Sequence, residues 1–202
     1  MIPGKEYVLK GVLMDKSTGK PLIIDGEEIH SETVFTPENP LGEVTVKFTF
    51  DSKFIKQNTD IVVFENLYRE GKELSSHADI EDEGQTVTAE VPEIGTKATV
   101  EGKKEIIVSD RVVIEDIVSY KNLTPGKEYT IKGILMDKST GKPFEIDGKN
   151  VTSEVTFTPE KSSGEVKVSF NFDASGIKTN TELVVFETLY REGVEIAAHA
   201  EY

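Results

Sequence analysis

The stretch HADIEDEGQTV, His77 to Val87, sets a histidine, four acids (Asp79, Glu81, Asp82, Glu83) and a glutamine, Gln85, within one short run. The same reading frame returns as HAEY, His199 to Tyr202. An imidazole titrates near neutral pH and can accept or pass on a proton. Other acids fall where apolar side chains are expected. In RVVIEDIVSY, strict alternation puts Asp116 on one face with Val112, Ile114, Val118 and Tyr120. In ELVVFETLY, Glu187 shares a face with Leu183, Val185 and Leu189, and Glu65 sits likewise among Ile61, Val63 and Leu67. An ionised carboxylate is costly to bury, so an inward acid is neutral, paired or functional. Two such acids close together hold one proton between them. For a single acid, the plainer alternative is a strand end in water. Two inward acids and a repeated histidine favour a site that works by acid–base chemistry.

Other readings of these residues are weaker. His30 has Thr152 at the equivalent place in the repeat described below and reads as surface decoration. The acidic run after His77 lacks the spacing of a calcium loop, so a solvated turn is expected and no metal or cofactor. Cysteine is absent, which removes disulfides, thiolate metal sites and a thiol nucleophile. No phosphate loop, GxSxG elbow or HExxH stretch occurs. The formal net charge of −14 disfavours nucleic acids and anionic membrane surfaces as partners. No apolar run is long enough to span a bilayer. A hydrophobic share of 37% beside 30% charged residues suits thin domains with small cores.

The elements that must hold these residues are repeated. PGKEYVLKGVLMDKSTGKP (Pro3–Pro21) recurs as PGKEYTIKGILMDKSTGKP (Pro125–Pro143), and VVFENLYREG (Val62–Gly71) as VVFETLYREG (Val184–Gly193), at one constant offset of 122 residues. That period is too long for a solenoid unit and matches a whole small domain. The expected organisation is a module at 1–90 and a second at 91–202. Residues 91–124 have no counterpart before Met1, and residues 81–90 none after Tyr202. The first module is therefore expected to lack its opening strands and the second its closing strand. Alternation predicts strands at EVTVKFTFD, EVKVSFNFD, RVVIEDIVSY, EYTIKGILMD, EVTFTP and ELVVFETLY, parted by turn-forming DKSTGKP, IDGK, TPEKSSG and REG. DSKFIKQNT could make one short helical turn. Many short strands with regular turns predict an all-β, immunoglobulin-like sandwich of CnaB-like type in tandem.

With these pieces in place, the module resembles the VaFE-type, Thr–Gln ester-bond domains of Gram-positive cell-surface adhesins. VVFE at Val62–Glu65 and Val184–Glu187 is similar to the motif that gives the repeat its name. His77 and Gln85, eight apart, resemble the closing-strand pattern. TKATVEG at Thr96–Gly102 resembles the opening strand, and DIVSY at Asp116–Tyr120 the second strand. The resemblance implies that Thr96 attacks the side-chain amide of a glutamine, with Thr99 the alternative nucleophile and Thr96 favoured by the motif. It implies roles for Asp116, Glu187 and His199 in the second module, and for Glu65, His77 and Gln85 in the first. The reaction would run once per domain, so the protein would be structural and not a turnover enzyme. A cross-link closing a loop of roughly 100 residues stabilises by about 4.7 kcal/mol in the chain-entropy model.

The resemblance further implies an extracellular, cell-wall-anchored setting. The implied partners are adjacent repeats, a Gln-bearing closing strand or Thr-bearing opening strand in trans, and an unknown host ligand. Two rival readings share the sandwich: a stalk domain with a Lys–Asn/Asp isopeptide bond, and a ligand-binding adhesin domain without bond chemistry. The second is disfavoured because no aromatic cluster stands out as a binding platform.

Overall fold

A computed structural model describes residues 1–177 and 180–201. The chain divides into two compact units, Met1–Glu90 and Val91–Tyr202. Both are built from strands; the helical content among the described residues is two short 3-10 turns, Ser52–Phe54 and Glu83–Gln85. The first of these is the turn expected in DSKFIKQNT.

In the first unit the main strands are β1 (Tyr7–Asp15), β2 (His30–Phe35), β3 (Thr59–Arg69), β4 (Lys72–His77) and β5 (Thr86–Ala89). They form one sheet. β1 lies between β2 and β3, and β3 carries both β4 and β5 on its far edge. In the second unit they are β6 (Glu93–Thr99), β7 (Val112–Lys121), β8 (Tyr129–Asp137), β9 (Thr152–Phe157), β10 (Gly164–Phe172), β11 (Leu183–Arg191) and β12 (Val194–His199). Here there are two facing layers. β10, β7 and β6 form one sheet; β9, β8, β11 and β12 form the other, with a two-residue strand at Lys142–Pro143 beside β8.

Period-two alternation explains the layers. Val112, Ile114, Val118 and Tyr120 of β7, Val168 and Phe170 of β10, Ile131 and Leu135 of β8, and Val185 and Leu189 of β11 are buried in one cluster. Polar residues take the outer faces, as at Glu115, whose carboxylate accepts a hydrogen bond from Lys167 Nζ at 2.8 Å. The REG hairpins use left-handed backbone at both turn residues, with φ of 51° at Glu192 and 77° at Gly193. This is the twist a two-residue hairpin needs.

One expected strand departs from its reading. EVKVSFNFD forms β10, but its counterpart EVTVKFTFD joins no ladder in the first unit. The partner of β10 is β7, and the described first unit contains no equivalent of β7. The segment still lies across the sheet. Ser31 Oγ donates to the Lys47 carbonyl at 2.7 Å and Thr33 Oγ1 to the Thr45 carbonyl at 3.2 Å. Phe48 and Phe50 pack on a core made of Leu13, Leu22, Ile24 and Ile61. Alternation marks a face to bury; a ladder also needs a neighbour for the backbone.

Candidate functional site

The site is built on β6, β7, β11 and β12 of the second unit. On β11, Glu187 stands directly between Gly133 of β8 and His199 of β12. On β7, Asp116 stands between Val168 of β10 and Ala98 of β6. Both acids point into the sandwich. Asp116 is 0% exposed and Glu187 1%.

Treated as two carboxylates, the pair has no donor: all four oxygens are buried without a hydrogen-bond partner. Such a state is not tolerable in a low-dielectric core. Burial first, and then the hydrogen bond and charge of Asp116, push the Glu187 carboxyl up to about 9. Glu187 therefore carries a proton at neutral pH and offers it to Asp116, so the two acids share one proton. The arrangement supplies a hydrogen-bond donor, held in a dry site, that can turn towards a developing negative oxygen.

Register places Thr96. It pairs with Val118, two residues along β7 from Asp116 and on the same, inward face. Diagonal neighbours of this kind lie about 7–8 Å apart at Cα. β6 also lies against β11 and β12 of the opposite sheet. Thr99 pairs with Glu115, on the outward face of β7 with the Lys167 ion pair. The two candidate nucleophiles thus differ by strand parity, and Thr96 is the one on the side of the acids. His199 is half-buried and faces Glu187 across the ladder.

In the first unit the equivalent row is Gly11, Glu65 and His77. Glu65, expected inward, is only half-buried; a segment without a ladder crosses its sheet, and no second sheet covers it. His77 is exposed, and its Nε2 lies 2.7 Å from Asp82 Oδ2. Asp82 also caps the turn holding Gln85, accepting from the Gly84 N–H at 2.7 Å. Gln85 is half-buried immediately before β5, which pairs along β3 from Val62↔Thr86 to Thr59↔Ala89. The structure thus brings Thr96, Asp116, Glu187 and His199 into one unit and leaves Glu65, His77 and Gln85 in the other. Among the described residues no group of three or more His, Cys, Asp or Glu could hold a metal ion.

Two contributors escaped the sequence reading. Gly133 lets the Phe170 ring lie against β8 beside Glu187; a Cβ there would stand 2.6 Å from Phe170 Cζ. Its signal was an isolated glycine inside a strand pattern, repeated as Gly11. From the sequence, Asp82 reads only as part of a solvated acidic turn.

A family model described as the T-Q ester bond containing domain matches residues 1–89 and again residues 92–202. The chain belongs to this family. It is a family of self-cross-linking structural domains. Comparison with characterised proteins gives no match. Among solved structures the chain is similar to a bacterial adhesin from Mobiluncus mulieris containing intramolecular disulfide, isopeptide and ester bond cross-links. In one crystal form the identity is 22% and the TM-score 0.46, over 55% of this chain and 53% of that one. In a second form the values are 22% and 0.44, over 55% and 54%. The chain thus spans about half the length of those proteins.

Proposed function

We propose that this T-Q domain chain is a stalk segment of a bacterial surface adhesin, built of tandem immunoglobulin-like modules. Each module would be locked by an ester between a threonine near its first strand and a glutamine on its last. The observation that carries the reading is the buried Asp116–Glu187 pair on the same inward face as Thr96. The setting that follows is extracellular and cell-wall-anchored. The chemistry is a single self-processing event. Thr96 Oγ attacks the carboxamide carbon of a glutamine on an added closing strand, and the O–C bond forms. An unactivated hydroxyl needs a base, and His199 and the buried Asp116 are the candidates to take and relay its proton. The shared proton of Asp116 and Glu187 stabilises the oxyanion. The C–N bond then breaks, the threonine proton ends on the leaving nitrogen, and ammonia departs. Holding both partners on neighbouring strands supplies much of the rate.

Within this chain, Thr96 and Gln85 sit in different units, so a peptide can serve as the test glutamine. A synthetic peptide of residues 78–91 mixed with the chain should give a covalent adduct lighter than the sum by one ammonia, seen by intact mass. Thr96→Ala should abolish the adduct, Thr99→Ala should keep it, and hydroxylamine should release it. A hydroxylamine-stable product linked through lysine would establish the isopeptide reading instead. A bound peptide that never loses ammonia would refute the ester assignment.

A further inference from the structure

His77 and Gln85 are both tied to β3. His77 lies across from Glu65, and Thr86, the residue after Gln85, lies across from Val62. The chain between histidine and glutamine therefore loops out over a short stretch of one strand, and a single residue closes that loop. Asp82 Oδ2 lies 2.7 Å from His77 Nε2. Asp82 Oδ1 accepts from the Gly84 N–H at 2.7 Å. The Asp82 carbonyl accepts from the Gln85 N–H at 3.2 Å and from Thr86 Oγ1 at 2.7 Å. Gly84, Gln85 and Thr86 all hang from Asp82, and so does the imidazole.

The other acids of this run do different work. Asp79 accepts from the Glu81 N–H at 3.0 Å, and Glu81 and Glu83 reach out to Lys16. The side chains of Glu81 and Glu83 are 77% and 84% exposed, against 28% for Asp82. Asp82 is the acid that the fold turns towards the histidine. A carboxylate only accepts hydrogen bonds, so the ring nitrogen facing it must carry the hydrogen. With Nε2–H committed to Asp82, Nδ1 of a neutral ring keeps its lone pair.

We propose that Asp82 is a positioning residue for the ester reaction. It holds the histidine with Nδ1 free to take the threonine proton, and through the turn it caps it sets the glutamine at a fixed distance from that ring. The inference rests on the ester reading above. His199 stands across from Glu187 as His77 does from Glu65, so a glutamine strand offered to Thr96 brings its own Asp82 to the His199 ring. The proton passes from the threonine Oγ to Nδ1 and on to the leaving nitrogen. Asp82 touches neither the hydroxyl nor the carboxamide. It fixes the tautomer and orientation of the ring and stabilises the imidazolium formed part-way.

Serine separates the two tasks of Asp82, since its hydroxyl can still cap the turn but is too short to reach the ring. Two-bond nitrogen–proton spectra of the full chain at about pH 9, where imidazoles are neutral, read the His77 tautomer directly. The unaltered chain should show the Nε2–H form alone, and Asp82→Ser a mixture of the two tautomers. The peptide of residues 78–91 carries the test to the reaction. Asp82→Ser in the peptide should change its affinity for the Thr96→Ala chain by less than about threefold, yet slow ammonia loss on the unaltered chain by about tenfold or more at saturating peptide. On the His199→Ala chain the two peptides should react at one residual rate, because the aspartate acts through that ring. A single tautomer in Asp82→Ser, or equal rates for the two peptides on the unaltered chain, overturns the role of Asp82. If no peptide loses ammonia, the ester reading falls, and the His77 tautomer alone decides whether Asp82 holds the ring.

Discussion

Glu65 and Glu187 occupy the same place in two copies of one strand, each with a glycine across one ladder and a histidine across the other. Their surroundings differ. Glu187 is sealed in a sandwich and pushed up to about 9, while Glu65 is half-buried without a second sheet over it. The same contrast runs through the apolar residues. Ile131, Val168, Phe170, Val185 and Leu189 are buried, whereas Leu9, Val46, Phe48, Val63 and Leu67 stay partly exposed. The VVFE strand alone therefore does not make a reactive acid. The sheet of β6, β7 and β10 does, by removing water and by bringing Asp116. The nucleophile's strand and the strand that tunes the acid are one hairpin-like layer, so the layer that delivers Thr96 also prepares the site for it.

The largest test of this comparison is to give the first unit what the second has. A copy of residues 91–124 placed ahead of Met1 should turn Val44–Phe50 into a laddered strand and bury Leu9, Val46, Phe48, Val63 and Leu67. Covering five half-exposed apolar side chains is worth roughly 5 kcal/mol before the cost of ordering the added strands. Hydrogen exchange should show slowed amides at 44–50, and urea unfolding a more stable first unit. Unchanged exchange there, with the added segment folded, would break the account.

Phe170 and Phe48 probe the same contrast from the core. Phe170 is fully buried, so Phe170→Ala should cost about 3–5 kcal/mol in urea unfolding. Phe48→Ala should cost less than half as much, since its ring is partly solvated and its segment can settle. Equal losses would show that the two rings are equally confined.

Much of this was legible in the chain because strands write their faces as alternation. Asp116 and Glu187 showed themselves by standing in apolar rows, and the gap-free offset made each strand testable twice. Three things were not legible, for physical reasons. Parity within EVTVKFTFD is as clean as in EVKVSFNFD, yet only a neighbouring backbone decides whether a ladder forms. Glu65 reads as inward, but burial depends on a second sheet that its own strand does not encode. Thr96 and Thr99 have opposite parity in β6, but which of them faces inward depends on the pairing with β7, a relation between segments and not a property of either.

The titration of Glu187 gives a third comparison. Its folded value lies above the ordinary 4.5, so between about 4.5 and about 9 the native state holds a proton that the unfolded chain releases. Raising pH through that window must then reduce stability, with the slope flattening above about 9. Glu187→Gln keeps an amide donor for Asp116 and removes this titration. Urea unfolding between pH 5 and 9 should show a steeper fall for the unaltered second unit than for Glu187→Gln. Identical slopes for Glu187 and Gln at that position would mean the carboxyl is not held neutral.

The smallest expected effect lies in the glycines beside the two acids. A Cβ at Gly133 would stand 2.6 Å from Phe170 Cζ, and one at Gly11 would stand 2.5 Å from Phe48 Cζ. On distance alone the two alanine substitutions should be equally harmful. They should not be, because the colliding rings differ in freedom. Phe170 is fixed by a ladder with β7 and by a full shell of core side chains, so overpacking at Gly133 should cost about 1–3 kcal/mol. Phe48 belongs to a segment without a ladder and can swing outward by the roughly 1 Å needed to reach ordinary van der Waals distance. Alanine also loses less backbone freedom on folding than glycine, which returns roughly 0.5–1 kcal/mol. Gly11→Ala should therefore be near neutral and Gly133→Ala clearly destabilising, read as separate urea transitions assigned by hydrogen exchange. If Gly11→Ala costs as much as Gly133→Ala, then the uncovered segment is as rigid as the covered one, and the second layer is not what distinguishes the two units.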